Sequence, residues 1–282
     1  MFYLTLFFIS VSFNLMGKDN KDFHILNADK SEISYNEMLH ALQEKKIVFF
    51  GEFHENQIIH ALQLRIYEDL NKLDTSWAIG MEMLERHQNR YLQEFVNKSM
   101  NFQTFTKQAK QWPNFERDYL PLIQIAQKFH MPVIATNVPR YLASKIAREG
   151  WDSLNNYLDE NPMEKKYIAK LPLTVDYEAP GYRDFKTLFS GDAAHGMDIK
   201  LLTDAQAIKD ATMAESILQF LKQHSQYKLL HIQGVFHNQD DAGILWYLRY
   251  YNNPYSYSSI EVIDLKENKD LDIKTKADYY IS

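Results

Sequence analysis

Two four-residue motifs far apart in the sequence, Gly51-Glu52-Phe53-His54 and Gly234-Val235-Phe236-His237, each follow an apolar run. The runs are Ile47-Val48-Phe49-Phe50 and Leu229-Leu230-His231-Ile232, so each motif reads as a buried strand ending in a glycine and then a histidine. In an open α/β sheet the groups just past the carboxyl ends of the strands converge on the ligand crevice. Two histidines delivered this way predict one shared site, whereas a lone histidine after a strand is ordinarily a solvated loop residue. A third run, Trp77-Ala78-Ile79-Gly80-Met81-Glu82-Met83, sets a carboxylate in a stretch too apolar to solvate it. Burying it unpartnered costs on the order of several kcal/mol, so Glu82 is expected to serve a site or to be tied to His54 or His237. A fourth run, Met131-Pro132-Val133-Ile134-Ala135-Thr136, ends in Asn137-Val138-Pro139-Arg140.

Strand, helix and strand alternate through residue 136, the pattern of right-handed parallel crossovers. Helices are expected over 35–43, from Glu55 along Ile58, Ile59, Leu62, Leu64, Ile66 and Leu70, and around 87–97 and 117–129. Residues 151–200 carry no strand pattern and read as a helical cap. A long helix over 203–223 follows, and its stripe of Ala207, Ala214, Ile217, Leu218 and Leu221 passes through Asp210. Asp210 is therefore either a second buried acid or the partner of Lys209 or an arginine. A helix over 242–250 and strands over 258–265 and 277–282 complete the expectation. The fold class predicted is α/β, a mainly parallel sheet with helices on both faces and a smaller helical cap. The main domain spans 32–150 and 201–282, the cap 151–200, and a signal-like leader 1–17.

Residues 2–16 are uncharged and aromatic-rich, a length that suits a signal-peptide core rather than a membrane span. Export to the periplasm or envelope is the expectation. Leu15-Met16-Gly17-Lys18 has the shape of a lipoprotein processing site with lysine where the lipidated cysteine would stand, so this route to a lipid anchor is closed. The absence of cysteine also excludes disulfides, thiolate metal sites and a cysteine nucleophile. A net charge of -6 with no basic stripe argues against nucleic acid as a partner.

If Glu52, His54, Glu82 and His237 converge, two imidazoles and two carboxylates can act as general acid and base, or ligate a divalent metal with a position open for water. No Gly-x-Ser-x-Gly elbow, His-Glu-x-x-His helix, P-loop or Gly-x-Gly-x-x-Gly turn occurs. A water-using hydrolase is the enzyme class left.

The motifs also carry a family resemblance. The sequence resembles the ChaN-like haem-binding proteins over roughly residues 40–250. The likeness rests on Gly51-Glu52-Phe53-His54, Gly80-Met81-Glu82-Met83, the segment 112–119 with Pro121-Leu122, Asn137-Val138-Pro139-Arg140, Ala205-Gln206 with Lys209-Asp210-Ala211-Thr212-Met213-Ala214, and Gly234-Val235-Phe236-His237. More distantly it is similar to erythromycin esterase-like and TraB-like proteins, some of which are hydrolases. The resemblance implies an iron-acquisition protein that binds haem between two copies. It implies a tyrosine from each copy on the iron and a histidine and lysine of the other copy on the propionates, in company with an outer-membrane haem or iron uptake system. Among 18 tyrosines, Tyr182 is the first candidate ligand, because Pro180-Gly181-Tyr182-Arg183 opens a helix in the cap and Arg183 is placed to lower its phenol pKa. Tyr119 is the second, with a core hydrogen bond as its other reading. His195 is the candidate propionate histidine, and Lys209 and Lys200 compete as the lysine. Haem is the expected cofactor, and a water-using hydrolase with catalytic Glu52, His54, Glu82 and His237, with or without a divalent metal, is the alternative.

Overall fold

A computed structural model describes residues 23–183, 198–263 and 275–282. At its centre lies β2 (Ile47–Glu52), flanked by β5 (Lys228–Gly234) and β6 (Tyr257–Val262). Beyond β5 come β3 (Trp77–Glu85) and β4 (Val133–Asn137), and beyond β6 come β7 (Tyr279–Ile281) and β1 (Ile25–Asn27). Every neighbouring pair in this seven-stranded sheet is parallel except β1 with β7. Parallel pairing requires crossovers, and α1 (Tyr35–Gln43), α2 (Gln57–Leu73) and α6 (Leu120–Phe129) supply them on one face. The other face is covered by α7 (Arg140–Glu160), α8 (Ile199–Gln223) and α9 (Gly243–Tyr250).

The near-continuous apolar strands follow from this coverage, because a strand buried on both faces has no solvent side to keep polar. In β2, Val48 and Phe50 enter one core while Ile47 and Phe49 enter the other, and Leu230 and Leu229 of β5 divide the same way. A mainly parallel α/β sheet with helices on both faces is thus the observed architecture.

Several elements depart from the sequence reading. β1 lies in a segment that reads as polar. It is only Ile25–Asn27, and the edge of β7 rather than its own pattern defines it. The expected helix over 117–129 is two, α5 (Phe115–Asp118) and α6, which meet at Tyr119 just before Pro121 in the first turn of α6. α3 (Asn89–Val96) is joined by an unanticipated α4 (Phe102–Gln108), which Asn101 caps by accepting from the Thr104 backbone N–H. α7 runs through the expected cap boundary, with a bend at Gly150, whose φ of 79° is open to glycine at little cost.

Candidate functional site

Three adjacent central strands, β2, β5 and β3, end at one place. Glu52 stands opposite Gly234 in the β2–β5 register, and Glu82 near the end of β3 accepts the Gly234 N–H at 2.8 Å. The residues predicted to converge do so.

Glu52 is 1% exposed and every facing group donates to it. Tyr119 Oη donates to Oε1 at 2.6 Å, Gln63 Nε2 to Oε2 at 2.5 Å, and His54 Nδ1 to Oε1 at 2.9 Å. The carboxylate thereby sets the His54 tautomer and turns Nε2 toward the cleft. Beneath this group His60 has both ring nitrogens on acceptors, Gln63 Oε1 and the His54 carbonyl, each at 3.0 Å. Asp118 closes the layer with donors from Gln57, Asn114 and Arg117. The His54 pKa moves up, because the hydrogen bond to Glu52 and the charges of Glu82 and Glu52 outweigh the opposing desolvation.

On the other side His237 bridges two acids. Its Nε2 donates to Glu82 Oε1 at 3.0 Å and its Nδ1 to Asp210 Oδ1. Burial alone would strip the proton from this ring, but the two carboxylates win and its pKa is pushed up to about 10, so it is an imidazolium at neutral pH. Burial likewise opposes ionisation of Glu82, and His237, His54 and the Gly234 N–H overcome it, so Glu82 stays a carboxylate. Asp210, wholly buried, is shifted up by desolvation against the pull of His237 and Tyr182. Its partners are therefore His237 and Tyr182, not an arginine. Two carboxylate–imidazole pairs thus face each other, Glu52 with His54 and Glu82 with His237.

The cleft between them measures about 520 Å³. Val138, Ala143, Ala147, Leu202 and Ala205 give it apolar walls, Trp112 and Phe236 aromatic ones, and Arg140 and Lys209 positive charge. The Arg140 guanidinium lies over the Trp112 ring, 5.8 Å from its centre, and Trp112 packs edge-on against His54 at 5.0 Å. Among the described residues no group of three or more His, Asp and Glu side chains is arranged to hold a metal ion, since both His237 nitrogens and both Glu52 oxygens are already engaged.

Of the candidate haem residues, Tyr119, Tyr182 and Lys209 fall in or against this site. Tyr182 is 3% exposed and donates to Asp210 Oδ2 at 2.8 Å. Arg183 does not lower its phenol pKa as expected; burial and the Asp210 charge push it well up. Tyr119 is fully buried and spends its hydroxyl on Glu52, the core role that was its second reading. Lys200 pairs with Asp204 at 2.9 Å and lies over the Tyr177 ring, while Lys209 lines the cleft. His195 and the leader lie outside the described residues. Gln63 and His60 also serve the site, and their one signal in the sequence is polarity on an otherwise apolar helix stripe, with Gln63 next to Leu62 and before Ile66. Gln206, part of the Ala205-Gln206 motif, lies with its amide nitrogen 3.1 Å from His237 Nδ1.

A second cavity, about 670 Å³, opens beside α7 and the turn Pro162–Tyr167. Leu158, Ile168, Ala169 and Leu171 form its apolar lining, and Arg86, Lys165, Lys166 and Lys170 its cationic one. Next to it His87 sits between the rings of Tyr141 and Tyr167, each 6.1 Å away. Tyr141 donates to Glu164, whereas Tyr167 lies under the Lys166 ammonium at 4.9 Å and its hydroxyl makes no hydrogen bond among the described residues.

Residues 38–248 match the model of a family described as "Haem-binding uptake, Tiki superfamily, ChaN". The chain belongs to the ChaN haem-binding uptake family. No curated relative matches it. A solved structure of ChaN from Campylobacter jejuni, described as binding haem cofacially, covers 93% of this chain and 97% of its own at 18% identity and a TM-score of 0.69. At that identity the likeness shows a shared fold. A mutant of the erythromycin esterase EreC in its open conformation is 10% identical over 85% of this chain and 76% of its own, with a TM-score of 0.49.

Proposed function

We propose that this ChaN-family chain captures ferric haem for iron acquisition, with a tyrosine on the iron and two copies enclosing the ligand. Membership of the haem-binding uptake family is the observation that carries this reading. Haem is a flat apolar dianion, so it needs an apolar floor, cations for two propionates and an axial donor that can reach the iron. The 670 Å³ cavity offers the first two in Leu158, Ile168 and Leu171 with Lys166 and Lys170. Tyr167, in the turn beside that cavity rather than in its lining, offers the third, because its hydroxyl makes no hydrogen bond among the described residues and no bond has to be broken to turn it toward the iron. Tyr182 would first have to leave Asp210 and the core.

A haem bound on one chain leaves one apolar face wet, and a second copy covers it. Binding and association are then linked: haem shifts the chain toward the dimer and the dimer binds haem more tightly. The test is a ferric haem titration read by the visible spectrum, with sedimentation alongside. Saturable binding with tyrosinate charge-transfer bands and a haem-dependent dimer is expected, with Tyr167→Phe losing both and Tyr182→Phe keeping them. No saturable binding by the parent chain rejects the function. Retained bands in Tyr167→Phe with loss in Tyr182→Phe moves the ligand to Tyr182. Export belongs to the same reading, and N-terminal sequencing of envelope material should find the first residues removed. A protein retained in the cytoplasm with Met1 intact would reject it.

A further inference from the structure

Glu261 is a buried acid with nothing to answer its charge. It stands near the end of β6, between Gly51 of β2 and Tyr280 of β7 in the sheet register. The residue is 1% exposed, and its Oε1 has no hydrogen-bond partner. Glu52, Glu82 and Asp210 are buried too, but each has a tyrosine or histidine on it. Burial pushes the Glu261 carboxyl up to about 8, the Thr275 hydroxyl pulls the other way, and the charges of Asp240 and Asp241 add to the rise. An acid in such a position destabilises the fold unless something positive joins it.

Two further segments bring oxygen to the same place. The turn Gln239–Asp241 brings Asp240, whose Oδ1 accepts the Lys276 N–H at 3.0 Å. The chain entering β7 brings Thr275, and Tyr280, the sheet neighbour of Glu261, clamps it there. The Tyr280 hydroxyl donates to the Thr275 carbonyl at 2.7 Å and accepts the Ala277 N–H at 2.9 Å. Thr275 Oγ1 thus faces Glu261, and it too is buried without a hydrogen-bond partner. Two neighbouring oxygens that bond neither each other nor any other group leave a gap suited to a cation, which takes lone pairs from both. A water could bridge them, but it would leave the charge uncancelled. We propose that Glu261, Asp240 and Thr275 bind a calcium ion that joins β6, the 239–241 turn and the approach to β7. The donors are hard oxygens from three separate segments, which suits the irregular shell of calcium better than the strict octahedron of magnesium. Asp241 lies toward Arg249 instead, 3.7 Å from its guanidinium. The turn runs directly into Gly243, which packs on the His237 carbonyl, so the ion also braces the segment that carries His237.

The test titrates calcium chloride alone into the full chain after chelation, at about pH 8, where the Glu261 carboxyl gives up its proton readily to a cation. Isothermal titration and thermal melting are read together. Saturable binding with a Kd of about 0.1–1 mM is expected, the range of calcium sites with few charged ligands. A tenfold excess over Kd should raise the melting temperature by about 3 °C. Sodium chloride at matched ionic strength should not reproduce that rise. Glu261→Gln keeps the shape and removes the charge, so it should lose both the binding and the shift, yet melt no lower than the parent in chelator. Thr275→Val should weaken binding and leave the calcium-free melting temperature in place, which guards against a Glu261 variant that fails to fold. A parent chain without saturable calcium binding, a rise matched by sodium chloride, or a folded Glu261→Gln or Thr275→Val that binds calcium as the parent does, overturns the proposal. Haem takes no part in the measurement, so the result is separate from the haem reading.

Discussion

His237 shows how a residue's charge is decided by its neighbours. A buried histidine is neutral by default, as wholly buried His231 illustrates, with its pKa pushed down to about 4 by desolvation. His237 is equally deep, yet Glu82 and Asp210 reverse the outcome. Replacing Asp210 with Asn removes one of the two charges and leaves a buried cation half-compensated. The expected loss is roughly 3 kcal/mol of folding stability in urea denaturation, the scale for breaking a buried pair. NMR should show His237 titrating well below the parent. The linkage has a definite sign. The His237 pKa rises from 6.5 unfolded to about 10 folded, so its stabilisation is complete below about pH 6.5 and is lost as pH climbs toward 10. Glu82 is shifted down, so its share is present above its unfolded value of 4.5 and is lost as pH falls through its folded value. Asp210, shifted up, works against the fold as pH rises through its ordinary range. Melting temperature should decline between pH 7 and 10, and Glu82→Gln should flatten that decline. An unchanged alkaline slope in Glu82→Gln would contradict the assignment of the imidazolium.

At the scale of elements, α8 and the turn into α9 hold the site in register. α8 places Gln206, Lys209 and Asp210 on one side at three- and four-residue spacing, and farther along it Thr212 and Ser216 fix Arg86 through a backbone carbonyl and a hydroxyl. The turn depends on Gly243. Its φ is 54°, and a Cβ there would lie 2.3 Å from the His237 carbonyl oxygen. Gly243→Ala therefore combines a strained backbone with a clash against main chain, and about 2 kcal/mol or more of lost stability is expected. Because the clash falls on His237 itself, the variant should also shift the His237 NMR titration. A folded Gly243→Ala protein with an undisturbed His237 would show that the turn does not position the ring.

For the whole molecule, the sheet order matters more than any single strand. With β2 beside β5 and β5 beside β3, motifs from the first and last thirds of the chain meet across a single strand spacing, roughly 5 Å. Haem-linked dimerisation is a whole-molecule property too, and sedimentation at rising haem should trace a dimer population that saturates with binding. A dimer equally populated without haem would separate association from ligand.

The convergence of Glu52, His54, Glu82 and His237 was legible because it depends on local pattern: apolar strands with glycine and histidine at their ends, in a topology that allows few arrangements. The buried state of Asp210 was half legible, from the stripe on α8, but its partners were not. Which tyrosine faces outward was not legible at all. Tyr182 follows Pro180-Gly181 and Tyr167 follows Lys165-Lys166, settings that record neither burial nor partner, and only packing sets the first against Asp210 and the second under Lys166. Strand runs, helix stripes and the chemical types brought to the sheet edge are local properties, because backbone periodicity and burial act over a few residues. The tertiary structure decided what each polar atom pairs with, because hydrogen bonds such as those of Gln63 and Tyr119 to Glu52 join segments whose separation no local pattern records.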